Sequence, residues 1–131
     1  RFSIYNTAGV MIYAFATDDR SLNVFASEAE AIAYCEGIDV SQGNWLFFGN
    51  DGGSLEAHFE IPASQTDTFV SNGSYRLRRA ANASPSDLIA LLPGVSIVEG
   101  QGAPNSVAEV ERLLTFPSSG PPQVAAANTQ G

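Results

Sequence analysis

Asn72-Gly73 stands between Asp67–Ser71 and Ser74–Arg78. Asparagine and glycine tolerate the positive φ that a two-residue turn demands, so the pair predicts a β-hairpin. The turn then sets the register. Ser71 should oppose Ser74, Val70 Tyr75, Phe69 Arg76, Thr68 Leu77 and Asp67 Arg78. Val70, Tyr75, Thr68 and Leu77 would share one face. Phe69, Arg76, Asp67 and Arg78 would share the other, where opposite charges meet. A chain with such a hairpin is expected to build an antiparallel sheet.

Other strands fit that frame. Leu55-Glu56-Ala57-His58-Phe59-Glu60-Ile61 alternates strictly, which aims Leu55, Ala57, Phe59 and Ile61 at a core. Pro62 ends the run because it has no N–H for a ladder. Val10–Ala16 and Leu22–Phe25 flank the polar stretch Thr17–Ser21 and read as a hairpin with a longer loop. Ile12 and Ala14 fall on one face of the first strand, with Met11, Tyr13 and Phe15 on the other. Both faces are apolar, as in a central strand. Trp45–Phe48 is a short buried strand before the turn Gly49-Asn50-Asp51-Gly52-Gly53, and Val95–Val98 is another short strand.

Helix signals lie between them. Ser27 and Glu30 have the capping-box spacing, in which a hydroxyl and a carboxylate satisfy two orphan N–H groups. The alanines that follow favour a helix over Glu28–Glu36, with Ala29, Ile32, Ala33 and Glu36 on its period and Gly37 as a left-handed stop. Ser84-Pro85-Ser86-Asp87 opens a second helix with Leu88, Leu91 and Leu92 as its stripe, ended by Pro93-Gly94. Ser106 and Glu109 repeat the capping box ahead of Val107, Val110, Leu113 and Leu114. The expected fold is α+β: an antiparallel sheet of about four to six strands with two or three helices packed on one face. Residues 11–115 are expected to form one globular domain. Residues 1–10 precede the only methionine and read as a leader or remnant, and residues 116–131 read as a low-complexity tail.

Charge limits the partners. Fourteen acidic residues face six arginines and no lysine, a net charge of -8. Nucleic acid and anionic membranes both need clustered cations, so neither is an expected partner. No apolar run is long enough to cross a bilayer and no signal-peptide pattern opens the chain, which with a single cysteine suits a reducing cytoplasm. An acidic surface suits a basic protein, and it also provides solubility.

Three groups carry potential chemistry. Glu56, His58 and Glu60 project from one strand face at intervals of two, as a metal site or general base would require. Alternation alone explains that spacing, Arg76 and Arg78 are placed to oppose it, and a zinc site recruits more ligands than one histidine. Cys35 next to Tyr34 and Glu36 lacks the cationic neighbours of a reactive thiol and reads as a small core residue. Gly49–Gly53 contains Asp51 and no lysine, so it is a turn and not a phosphate loop. No catalytic residue, metal or cofactor is expected.

Phe25-Ala26-Ser27-Glu28-Ala29-Glu30-Ala31-Ile32, Cys35-Glu36-Gly37-Ile38-Asp39-Val40 and Gly43-Asn44-Trp45-Leu46-Phe47-Phe48 together resemble small bacterial proteins of the immunity type, the antidotes of polymorphic toxins. The resemblance spans Met11 to Phe59. It implies an inhibitory binding protein that occludes the active site of a basic toxin domain. Carboxylates in loops and on outward faces are then the expected contacts: Asp18, Asp19, Asp39, Asp51, Glu56 and Glu60. The alternatives are a small enzyme or metal-binding protein using the Glu56, His58 and Glu60 face, and an accessory domain of a larger assembly.

Overall fold

A computed structural model describes residues 11–100 and 104–116. The expected leader and, apart from Phe116, the expected tail lie outside the described residues. In chain order the elements are β1 (Ile12–Ala16), β2 (Ser21–Phe25), α1 (Glu28–Tyr34), α2 (Gly37–Ser41), β3 (Trp45–Phe48), β4 (Ser54–Ile61), β5 (Ser64–Gln65) and β6 (Val70–Ser71). They continue with β7 (Ser74–Arg79), α3 (Ser86–Leu91), a 3-10 turn (Leu92–Gly94), β8 (Ile97–Gly100) and α4 (Val107–Thr115). Six strands form one sheet in the order β7-β4-β3-β1-β2-β8, and β5 and β6 form a separate two-stranded ribbon. Every pairing is antiparallel except β2 with β8.

β1 is apolar on both faces and is buried along its whole length. Tyr13 and Phe15 pack with Leu22, Phe48 and Val98 against Leu88 and Leu92 on one side of the helical layer and Val110 and Leu114 on the other. Ile12 and Ala14 face the other way, toward Ala31, Cys35, Phe47 and Tyr75. The α+β class and the six strands match expectation, but the helices do not share one face. α1 and α2 cover one side of the sheet, and α3 and α4 cover part of the other. A central strand with two apolar faces requires this, since each face must leave water. Leu22 and Leu88 are fully buried, each stabilising the fold by about 1.5–3 kcal/mol. The Tyr13 hydroxyl is buried without a hydrogen-bond partner among the described residues, and burial pushes its pKa up to about 12.

The Asn72-Gly73 hairpin does not form. β7 pairs with β4 instead, setting Phe59 opposite Tyr75 and Ala57 opposite Leu77. β6 pairs with β5, so the reversal falls at Asp67-Thr68, where the Thr66 N–H donates to the Phe69 carbonyl at 2.8 Å. Gly73 does take positive φ, at +62°, but as a corner between the two sheets. A Cβ there would lie 2.1 Å from the Ile61 carbonyl oxygen. The Asn72 side chain is used elsewhere: its Oδ1 accepts from the Ile38 N–H at 3.1 Å. A tertiary contact has overridden the local turn preference.

Two further expectations are corrected. Gly37 does not stop the first helix in a left-handed cap; α1 ends at Tyr34 and Gly37 begins α2. Its lack of a side chain serves close approach, because a Cβ would sit 1.8 Å from the Asn72 carbonyl oxygen. The buried stripe of α1 is accordingly Ala31 and Cys35, while Ala29 and Ala33 are exposed. Ile61 leaves the core side of β4 because the register shifts between Phe59 and Ile61. The extra residue of that bulge turns the alternation over, and Ile61 is 59% exposed. Both serine caps form, while the Glu30 and Glu109 carboxylates reach one residue further back, to the Ala26 N–H at 3.4 Å and the Asn105 N–H at 2.8 Å. Ser27 accepts from the Glu30 N–H at 3.1 Å and Ser106 from the Glu109 N–H at 3.2 Å.

Candidate partner-binding surface

Antiparallel strands sort the loops into two ends. The upper end carries the β1–β2 turn, the approach to β3, the end of β4 and the start of β8. The lower end carries the β3–β4 turn and the end of β7. Five residues of β1 separate the ends by about 17 Å.

Asp18 and Asp19 lie exposed in the upper turn. Asp18 Oδ1 accepts from the Asp19 N–H at 2.7 Å, and Asp19 Oδ1 from the Ser21 N–H at 3.0 Å. Hydrogen bonds from Ser21, its side chain first and then its backbone, hold Asp19 below the ordinary aspartate range. Such local bonding is the usual way aspartate shapes a turn. The Thr17 N–H donates to the Asn44 carbonyl at 3.0 Å, and the Asn44 N–H donates to the Asp39 carbonyl at 3.0 Å. Gln42 Nε2 then reaches Gln65 Oε1 at 3.3 Å. These contacts join the turn, α2 and the β5–β6 ribbon into one continuous surface. Asp18, Asp19 and Asp39 are on it, with Asp67 in the ribbon turn and Glu60 near the end of β4. Arg20 is its cation among the described residues.

Asp51 belongs to the other end. Its Oδ1 accepts from the Gly53 N–H at 2.9 Å and from Arg79 Nη1 at 3.1 Å, and Oδ2 lies 3.1 Å from Arg79 Nη2. The Arg79 hydrogen bonds are the main reason its carboxyl is held below the ordinary range. Glu28 accepts from Arg76 Nε at 2.9 Å, from Arg76 Nη2 at 3.1 Å and from the Leu77 N–H at 2.8 Å. Arg76 likewise pulls its pKa down. Asp87 Oδ2 accepts from the N–H groups of Ser54 and Ser84, each at 3.0 Å, and these backbone bonds lower its pKa.

Glu56, His58 and Glu60 do share the outer face of β4, with Arg78 opposite Glu56 and Arg76 opposite His58. This part of the sheet is left open by α3 and α4. His58 Nε2 lies 3.5 Å from Glu56 Oε1, with side chains 48% and 60% exposed. Among the described residues no three His, Cys, Asp or Glu side chains gather as metal ligands would. Cys35 is buried on the opposite side of the sheet from His58, so the two form no catalytic pair. Burial first, and then the charge of Asp39, pushes its thiol up to about 12. Its carbonyl accepts from the Tyr75 hydroxyl at 2.6 Å.

Sequence reasoning missed one feature of the upper end. Ile61 at the end of β4, and Phe69 and Val70 in the ribbon, are 59%, 61% and 51% exposed. The polar run Ser64–Thr68 before Phe69 was the available signal that this stretch is not a core strand. No helix among the described residues is long and apolar enough to cross a membrane. No protein-family model, curated protein or solved structure matches the chain.

Proposed function

We propose that this chain is an inhibitory protein-binding domain of the immunity type, which covers the cationic active site of a toxin domain with carboxylates. One observation carries the reading: among the described residues Asp18, Asp19, Asp39 and Glu56 form no ion pair with an arginine and Glu60 feels Arg76 only at longer range, whereas Glu28 and Asp51 are paired. Arginine is thus paired at the lower end and the sheet edge, leaving net negative charge on the upper end, where Arg20 is the cation among the described residues. A toxin that handles nucleic acid or a nucleotide needs a cationic cleft, and such a cleft attracts this surface. Asp51 is not part of it, since it is held by Arg79 at the far end. Opposite charges raise the association rate, and buried contacts set the dissociation rate.

The test is to capture the partner from native cells, purify it and measure association across ionic strength. Asp18→Asn, Asp19→Asn and Asp39→Asn combined should slow association about tenfold at low salt and flatten its salt dependence. Rates indifferent to salt would remove the electrostatic mechanism. Cells left unprotected against the partner's activity would remove the immunity reading.

A further inference from the structure

The ribbon of residues 62–73 is fixed in position yet hides little of its own apolar surface. Two-stranded ribbons are marginal alone, so something must hold this one. Gln42 with Gln65 and Asn72 with the Ile38 N–H tie it to α2. Gly37 and Gly73 bring its base into backbone contact with the body, leaving no room for a Cβ at either position. At the far end, the Phe69 carbonyl accepts from the Thr66 N–H at 2.8 Å and from Thr66 Oγ1 at 3.4 Å. The backbone is therefore satisfied while the ring stands 61% exposed. Ile61, at the end of β4, and Val70, next to Phe69 in the chain, are also exposed. A large aromatic displayed on a supported turn has the form of an interface anchor.

Charge selects the occupant. Glu60 and Asp67 lie in the segment 60–72 and Glu36 and Asp39 in 36–44, and neither segment contains a cation. A second copy of the chain would bring like charges together, and phosphate backbones would be repelled. We propose that the β5–β6 ribbon is the anchor for a folded protein partner, with Phe69 entering an apolar pocket whose lysine and arginine rim meets Asp67, Glu60 and Asp39. This rests on the protein-binding reading above and adds which segment makes the buried contact and what pocket receives it.

The experiment places a photo-crosslinking phenylalanine analogue at position 69 of the full chain, and at position 34 for comparison, in native cells. Tyr34 is equally exposed, at 60%, but lies on α1 with its ring beside Phe25 and Trp45. The crosslinked protein is identified, purified and titrated with wild type, Phe69→Ser, Phe69→Leu and Asp67→Asn. Crosslinking at 69 and not at 34 is expected, to a pocket with basic rim residues. Phe69→Ser should weaken binding about 30-fold or more through faster dissociation, with an unchanged melting curve because the ring is exposed. Phe69→Leu should cost less than about fivefold, since it keeps an apolar anchor. Asp67→Asn should mainly slow association.

Equal binding by wild type and Phe69→Ser overturns the anchor and leaves the protein-binding reading standing. A Phe69-dependent partner whose activity the chain does not inhibit supports the anchor and overturns the immunity reading. A crosslinked pocket with a neutral or acidic rim, or no protein captured at 69, overturns the anchor. So does a sedimenting dimer of the chain alone that Phe69→Ser dissolves, which would assign the ribbon to a second copy.

Discussion

The two ends of the sheet use the same residue type for opposite purposes. At the lower end and the edge beside it, Glu28, Asp51 and Asp87 accept hydrogen bonds from guanidinium groups and backbone N–H groups, and each is held below its ordinary pKa. Those carboxylates close the structure. At the upper end Asp18 and Asp19 bond only to their own turn, and Asp39 contributes its backbone carbonyl to the next turn. Asp18 and Asp19 are exposed and pair with no arginine among the described residues. In an acidic chain the placement of its few arginines decides which acids become structural. Arg76 and Arg79 sit on β7, so only acids within their reach are neutralised.

The contrast predicts unequal costs. Glu28→Ala with Asp51→Ala should destabilise the fold by about 2 kcal/mol in chemical denaturation, allowing for solvent exposure at both sites. Asp18→Asn with Asp19→Asn should move the denaturation midpoint much less. Equal losses from the two pairs would break the comparison.

Acid should act on the carboxylates that hydrogen bonds hold, and Asp19 at the upper end is one of them beside the three of the lower end. Glu28, Asp51 and Asp87 have folded pKa values below their ordinary values of 4.5, 3.8 and 3.8. Their stabilisation is complete above those ordinary values and is lost as the pH falls through the folded ones. Unfolding free energy should therefore begin to drop near pH 4.5 and continue downward. Glu28→Gln should flatten part of that limb. A limb that survives Glu28→Gln intact would remove Glu28 from the account.

The smallest expected effect concerns Gln42→Ala, which cuts one tie between α2 and the ribbon. An exposed side-chain hydrogen bond is worth roughly 0.5 kcal/mol or less, so global stability should hardly move. Amide exchange at Thr66, whose N–H closes the ribbon turn, should nevertheless speed up. Unchanged exchange there would show that Asn72 and the two glycines alone hold the ribbon.

Much of the local structure was legible in the chain. Ser27 with Glu30 and Ser106 with Glu109 carry their helix starts within four residues, and both caps form. The two apolar faces of Ile12–Phe15 announced a central strand. Pairing across long separations was not legible. Asn72-Gly73 has a strong local preference, but nothing near it reveals that Ile38, more than thirty residues earlier, needs its side chain. The parallel pairing of β2 with β8 joins Ser21 to Ile97 across most of the fold, with no short-range signature. The site followed the same division. Exposed turn acids such as Asp18 were readable by type, while the capture of Asp51 by Arg79 and the display of Phe69 depend on distant strands.

The Glu28 carboxylate also decides where the sheet stops. β7 is the last strand on its side, and an edge strand offers spare N–H groups as a template for any other extended chain. Leu77 gives its N–H to Glu28, whose side chain reaches over from α1, and Arg76 clamps that carboxylate in place. An incoming strand would have to displace a held negative charge before it could pair at Leu77. A single helical residue thereby places a fixed charge in the middle of the exposed edge, where it disfavours addition of another strand.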